Sequence, residues 1–103
     1  MDLAALRQAI AAGRLSWQQH ALQRLAERNL CRERVVRAIL EGEVIEDYPD
    51  DYPLPSALVL HTTAQQSVHA VVAWDEEDKR AYVITVYIPD AKRFADDYRT
   101  RRP

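Results

Sequence analysis

The sequence predicts an α+β domain in which N-terminal helices pack on one face of a three- to four-stranded antiparallel sheet, followed by a short C-terminal helix. Two observations support this prediction. Apolar residues recur at helical spacing up to Gly42, and beyond it they alternate with polar residues, as they do in strands. The chain of 103 residues suits one modest core, so residues 1–103 are expected to form a single domain.

Helical spacing predicts two short helices in the first part of the chain. The apolar positions of the first helix are Leu3, Leu6 and Ile10. Gly13 is expected to end that helix. Ser16 then has the character of an N-cap, and Gln19, three residues later, completes a capping box. The second helix is expected to end near Arg28, because Asn29 tolerates the left-handed conformation of a helix end.

A third helix is predicted over residues 32–41, where Gly42 closes it. Its start lacks a strong cap, because Cys31 stands where a Ser, Thr, Asp or Asn side chain would accept a hydrogen bond. The stripe expected to be buried consists of Val35, Val36, Ile39 and Leu40. All three helices are short, so they depend on tertiary packing for stability.

The alternating part of the chain predicts the sheet. The expected strands are residues 43–47, as a short edge strand, and residues 57–62, 68–74 and 80–88. Three prolines make residues 48–55 a loop, because proline cannot donate to a strand ladder. Residues 91–98 are expected to form the last helix.

Alternation also divides the last strand between two faces. One face holds Tyr82, Ile84, Val86 and Ile88, and the other holds Val83, Thr85 and Tyr87. The first set is more apolar and is expected to meet the helices. The predicted core therefore includes Val35, Ile39, Val72, Trp74, Ile84 and Val86. By the same argument, His69 and Tyr87 are expected on the less covered face.

Charge is segregated along the chain, although the net charge is only −2. Residues 1–40 carry a net +4, residues 41–78 a net −10 and residues 79–103 a net +4. This segregation allows a basic surface on an acidic protein. Alternatively, the acidic middle segment pairs with the basic ends.

Composition also bears on the compartment. The single cysteine, Cys31, excludes an internal disulfide. The apolar runs are too short for a membrane span, and the chain does not open with the basic and apolar regions of a signal peptide. A cytoplasmic location is therefore expected.

The second predicted helix carries a basic stripe. His20, Arg24 and Arg28 are four residues apart, so they lie on one helical face at the border of its apolar side. A proton carrier beside two permanent cations suits the handling of phosphate. Alternatively, His20 is a packing residue, and the two arginines pair with acids of the middle segment such as Glu43 or Glu46.

Further candidates lie on the strands and in the tail. His69 is a polar residue inside an apolar strand, and Tyr87 can donate a proton or bind a phosphate oxygen. Arg99 and Arg101 belong to a basic tail that can follow a nucleic-acid backbone. Each also has a structural alternative. His69 can be a core histidine, Tyr87 a half-buried tyrosine, and the tail a solvated terminus. His61 is a weaker candidate and is expected at the surface.

Several short motifs, in this order and spacing, resemble the domain-of-unknown-function family 4258. They are His20–Ala21 followed by Arg24 and Arg28, Gly42–Glu43 with Ile45–Glu46, His69 in a valine-rich strand, and Thr85–Val86–Tyr87 followed by Pro89. The resemblance extends from about Leu6 to Arg102. The family is typical of bacteria, and its layout is similar to that of BrnT-type and RelE-type toxins.

This resemblance implies a small endoribonuclease of the toxin type, with RNA as substrate and a cognate antitoxin as partner. Metal-independent RNA cleavage needs a base, an acid and a group that holds negative charge, so no cofactor is expected. The catalytic candidates are His69, His20 and Tyr87. The candidates for substrate binding are Arg24, Arg28, Arg99 and Arg101. No metal site is expected, because the three histidines lack close metal-ligand spacing. The alternative is a non-catalytic domain that binds nucleic acid or protein.

Overall fold

The structure, a computed structural model, describes residues 1–89 and 98–99. Within these residues the helices are α1 (Leu3–Ala11), α2 (Gln19–Arg28) and α3 (Arg32–Glu41). The strands are β1 (Leu15–Trp17), β2 (Glu43–Tyr48), β3 (Ser56–Thr62), β4 (Ser67–Asp75) and β5 (Arg80–Tyr87). The α+β class and the three N-terminal helices are confirmed.

The strands form one five-stranded sheet in the order β1-β5-β4-β3-β2. The four strands from β2 to β5 pair antiparallel, as predicted. The prediction of a wholly antiparallel sheet is wrong, because β1 pairs parallel with β5 and makes the sheet mixed. Ser16 lies inside β1 instead of capping α2. A strand of three residues is too short to show alternation, and its pairing depends on residues far along the chain.

The ends of the helices follow local chemistry only in part. Asp2 caps α1 by accepting a hydrogen bond from the Ala5 N–H at 3.0 Å. Asn29 ends α2 in the left-handed conformation with φ 53°, as expected. Neither Gln18 at the start of α2 nor Cys31 at the start of α3 makes a side-chain capping bond. The start of α2 is held instead by the sheet, since the Gln18 N–H donates to the Val83 carbonyl at 3.0 Å.

The helices bury their apolar stripes against one face of the sheet. Most of the predicted core is confirmed, with five residues no more than 2% exposed: Val35, Ile39, Val72, Trp74 and Val86. Ile84 is the exception, because it is only half-buried and lies outside this core.

A β-bulge in β5 explains the error at Ile84. Val72 pairs with Val83 and Val71 pairs with Thr85, so Ile84 is the extra residue between them. Val83 therefore faces the core before the bulge, and Val86 faces it afterwards. The predicted strict alternation fails in the first half of β5, where Tyr82 points to the opposite face and lines a cleft there.

The opposite face of the sheet is also covered at its centre. The buried residues on that face include Ser56, Leu58, Leu60, His69 and Ala73. The expectation that His69 lies on a less covered face is wrong, since its side chain is fully buried. Two contacts between residues distant in sequence lie in this region. The backbone N–H of Trp74 donates to the Pro55 carbonyl at 3.0 Å. The side chain of His69 contacts the Tyr98 carbonyl.

The predicted C-terminal helix, residues 91–98, lies outside the described residues except for Tyr98. The backbone of Tyr98 has φ 55°, which is not the conformation of a right-handed helix. In the part of the chain that the structure describes, no helix combines the length and the apolar character needed to cross a membrane.

Candidate functional site

A cleft of about 580 Å³ lies where the start of α2 meets the sheet face opposite the main core. Three segments line it. Gln18 and His20 come from the start of α2, residues 51–54 come from the loop between β2 and β3, and Ala73, Tyr82 and Ile84 come from the sheet. Its volume falls in the usual range for small-ligand sites.

His20 is the predicted catalytic residue that reaches this cleft. It is the second residue of α2, and its side chain is exposed. The hydrogen bond from Gln18 to Val83 fixes the helix start against β5, and the bulge turns Ile84 into the cleft beside it. An accessible imidazole at the edge of a largely apolar cleft can exchange a proton with a bound ligand.

The loop that forms the second wall is held by the side chain of Asp51. One carboxylate oxygen accepts the Tyr52 N–H at 3.0 Å, and the other accepts the Ser56 hydroxyl at 2.6 Å. Ser56 is only 2% exposed, so this anchor is rigid. Tyr52, followed by a cis peptide bond to Pro53, is 91% exposed. This wall therefore combines the oriented carboxylate of Asp51 with the exposed aromatic ring of Tyr52.

The two arginines of the basic stripe lie outside the lining of the cleft. Arg24 forms an ion pair with Glu27 of the same helix at 2.6 Å, instead of pairing with the acidic middle segment. Arg28 is exposed in the last turn of α2. Both follow His20 along one helical face, at about 6 Å of axial rise per four residues. The structure thus places His20 at the cleft, and the two cations lead away from it along the helix.

His69 and Tyr87 are brought together by the register of β4 and β5, which the sequence did not predict. They occupy directly opposed positions on β4 and β5, and their ring centroids are 5.1 Å apart in an edge-to-face arrangement. The His69 Nε2–H donates to the Tyr98 carbonyl at 2.7 Å. His69 is fully buried, however, and Tyr87 is half-buried. Ala73, which lines the cleft, lies four residues from His69 on β4, a distance of about 13 Å along a strand.

Of the two predicted tail residues, the structure describes Arg99. Arg99 forms an ion pair with Glu43 of β2. This contact joins a basic end to the acidic middle segment, which is the alternative that the charge distribution left open. Arg101 lies outside the described residues.

The sequence did not predict a second polar cluster, which lies around His61. Arg34 of α3 donates to the His61 Nδ1 at 2.9 Å, and the His61 Nε2 lies 3.9 Å from a carboxylate oxygen of Glu41. Burial lowers the pKa of His61 below its ordinary value, and the positive charges of Arg34 and Arg37 lower it further. The side chain of His61 is 11% exposed, so the surface position expected for it is wrong.

Signals for the missed residues were present in the sequence. Arg34, Arg37 and Glu41 recur at helical spacing and mark one polar face of α3. The cleft residues Asp51 and Tyr52 lie in a proline-rich loop, and such loops often carry binding residues on a rigid scaffold. Across residues 1–89 and 98–99, no three His, Cys, Asp or Glu side chains cluster closely enough to hold a metal ion.

Comparison with known families identifies the family of this chain. The sequence model of the family described as Domain of unknown function (DUF4258) matches residues 17–88, which is more than half of the chain. The chain belongs to the DUF4258 family. The DUF4258 match contains every residue that lines the cleft, together with His69 and Tyr87. The α1 helix and the arginine-rich tail lie outside the match. No curated protein and no solved structure matches the chain.

Proposed function

We propose that this domain is a metal-independent endoribonuclease that binds RNA in the cleft and uses His20 for proton transfer. The observation that carries the proposal is an exposed imidazole lining a cleft of nucleotide size. The helices followed by a largely antiparallel sheet also resemble the layout of BrnT-type and RelE-type toxins. On this proposal the domain is a bacterial toxin-type protein, and a cognate antitoxin is its expected protein partner.

The chemistry follows from the groups at the cleft. The 2′-hydroxyl of RNA attacks the adjacent phosphorus, so that a new P–O2′ bond forms while the P–O5′ bond breaks. His20 takes the proton of the 2′-hydroxyl, and Tyr82, which lines the same cleft, can give a proton to the leaving 5′-oxygen. Arg24, one turn further along α2, is placed to hold phosphate charge once it leaves Glu27. The products are a 2′,3′-cyclic phosphate and a 5′-hydroxyl.

In this proposal His69 and Tyr87 stabilise the fold and do not contact RNA. The burial of His69 supports that assignment, because a fully enclosed imidazole cannot reach a phosphate without opening the structure. Tyr87 is half-buried, and its ring packs against His69. His20 therefore keeps its predicted proton-transfer role, and Tyr82 takes the role that the sequence suggested for His69 and Tyr87.

A second function is favoured by one observation. Of the three predicted catalytic residues, only His20 lines the cleft. A site with one of them can bind nucleic acid without cleaving it, with His20 serving as a hydrogen-bond donor to phosphate. The alternative is therefore a non-catalytic domain that binds RNA.

Incubation of the purified protein with total RNA, with and without EDTA, tests the proposal. We expect cleavage that EDTA does not change and products that end in 2′,3′-cyclic phosphate. His20→Ala should lower the cleavage rate by about 10²-fold or more, the usual scale for loss of a proton-transfer group. Its thermal unfolding temperature should stay unchanged, because the side chain is exposed.

His69→Ala is the matched comparison, since it removes the same side chain from a buried position. It should lower the unfolding free energy by about 2 kcal/mol or more, because it removes a buried ring and its hydrogen bond. Full activity in a folded His20→Ala protein would remove His20 from catalysis. Binding of RNA without cleavage would select the second function.

A further inference from the structure

We infer that the cleft selects guanine and that Asp51 is the residue that recognises it. This inference rests on the proposed function, because it assumes that the cleft binds nucleotides. The inference adds to that function the base that is recognised and the side chain that determines the specificity. Asp51 lines the cleft from the loop between β2 and β3, whereas His20 lines it from the start of α2.

The carboxylate of Asp51 is already oriented before any ligand binds. The Tyr52 N–H binds one of its oxygens and the buried Ser56 hydroxyl binds the other. A carboxylate oxygen can accept two hydrogen bonds, and these contacts use one site on each oxygen. Asp51 therefore offers two adjacent acceptors at fixed positions, and little conformational entropy is lost when they bind a ligand.

Among the RNA bases, guanine has the edge that matches two adjacent acceptors. Its N1–H and its exocyclic amino group are neighbouring donors on the Watson–Crick edge, which is the edge that proteins read in unpaired RNA. Adenine and cytosine each present one donor beside an acceptor, and uracil presents one donor between two acceptors. Those acceptors would face a carboxylate oxygen, so the same side chain that binds guanine disfavours the other bases.

The rest of the cleft suits a planar ring. Tyr52 and Tyr82 contribute aromatic rings, and Leu54 and Ile84 contribute apolar surface. Tyr52 is the residue that follows Asp51, and its own N–H binds the carboxylate. Its ring, on the residue next to the acceptors, is exposed, so a base can stack on it.

The arrangement of charge is consistent with a bound nucleotide. The carboxylate is on the loop wall, whereas His20 is on the helix wall and Arg24 and Arg28 follow it along α2. A nucleotide can therefore direct its base toward Asp51 and its phosphate toward α2. An anionic side chain in a site for an anionic ligand weakens binding unless its hydrogen bonds are satisfied, which makes guanine a condition for tight binding.

The test measures the affinity of the full chain for GMP, IMP, AMP, CMP and UMP by titration with NMR detection of the ring signals of His20 and Tyr52. We expect GMP to bind at least about tenfold more tightly than AMP, CMP and UMP, the scale of one bidentate base contact. IMP lacks the exocyclic amino group and should fall between GMP and the others.

Asp51→Asn tests the residue, because the amide keeps an oxygen that can accept the Ser56 hydroxyl. It should remove the preference for GMP, and AMP should bind more tightly than before, because a neutral amide no longer repels the adenine acceptor or the phosphate. Asp50→Asn is the matched control, since it changes the charge equally at the neighbouring position, which does not line the cleft. It should keep the preference. Equal affinity for all nucleotides, or a GMP preference that survives in Asp51→Asn, overturns the inference.

The outcomes separate this inference from the proposed function. RNA cleavage that depends on His20 but shows no preference for guanine refutes the inference alone. A GMP preference that depends on Asp51, in a protein that leaves RNA intact, refutes the ribonuclease alone. If Asp51→Asn unfolds, the comparison of GMP with IMP in the unaltered protein still decides whether two adjacent donors are read.

Discussion

At the scale of single residues, His61 shows how neighbours set the charge of a histidine. The guanidinium of Arg34 donates to Nδ1, so the ring carries its proton on Nε2, on the side of Glu41. Glu43 and Arg99 line the same small pocket. Burial and the nearby cations Arg34 and Arg37 keep the pKa of His61 below its ordinary value of 6.5.

This lowered pKa predicts that the protein loses stability in mild acid. The unfolded chain binds a proton at His61 near pH 6.5, whereas the folded chain binds it only at lower pH. The free energy of unfolding should therefore fall as pH decreases below about 6.5, and this contribution should level off below the pKa of the folded state. Urea unfolding at several pH values between 7.5 and 5 measures the effect.

His61→Asn provides the control for that measurement, because its amide oxygen can still accept from Arg34 while the titrating group is gone. The unaltered protein should lose more stability than His61→Asn between pH 7.5 and 5. Parallel pH profiles for the two proteins would show that His61 does not contribute.

At the scale of secondary-structure elements, the junction of α3 and β2 depends on the absence of a side chain at Gly42. The sequence predicted Gly42 as a helix end, which is confirmed. Its φ of −77° is open to any residue, so its backbone conformation does not require glycine. Instead, a Cβ atom there would overlap the carbonyl oxygens of Ala38 and Leu60. The guanidinium of Arg7 also donates to the Gly42 carbonyl, which ties α1 to this junction.

Gly42→Ala should therefore lower the free energy of unfolding by about 2–3 kcal/mol or more, because rigid backbone atoms must move apart. Gly13→Ala is the matched comparison. Gly13 has φ 81° but open space around it, so alanine there should cost only about 1–2 kcal/mol of conformational strain. Thermal or urea unfolding of both variants measures the difference. An equal or smaller loss for Gly42→Ala would contradict the packing argument.

At the scale of the whole molecule, the segregated charges predict how RNA binding depends on salt. Arg24 and Arg28 continue from the cleft along α2, and each phosphate that they neutralise releases counterions. Arg24→Ala and Arg28→Ala should each lower the slope of log K against log salt concentration by about one. Fluorescence anisotropy with a short single-stranded RNA over a range of salt concentrations measures the slope.

Arg37→Ala is the control for this prediction. Arg37 lies on α3, where it pairs with Glu41, and it does not line the cleft. Its removal should leave the slope unchanged. If the two α2 variants also leave the slope unchanged, the phosphates do not follow the basic stripe of His20, Arg24 and Arg28.

Features that depend on neighbouring residues in the chain could be predicted from the sequence alone. Within residues 1–89, helical spacing located the three helices, Asn29 marked a helix end, and the alternating segments located the four antiparallel strands. The chemical candidates His20, His69 and Tyr87 were also found this way. These features depend on local propensity, on side-chain periodicity or on residue type, and all of them can be read in a short window.

The positions at which those groups meet depend on long-range packing. The parallel pairing of β1, the bulge at Ile84 and the cover over His69 depend on residues distant in sequence, so no local pattern predicts them. The same long-range packing encloses His69 and brings the loop of Asp51 and the start of α2 to one cleft. A cleft is the space left between packed elements, and its position follows from their three-dimensional arrangement and not from the periodicity of any one of them.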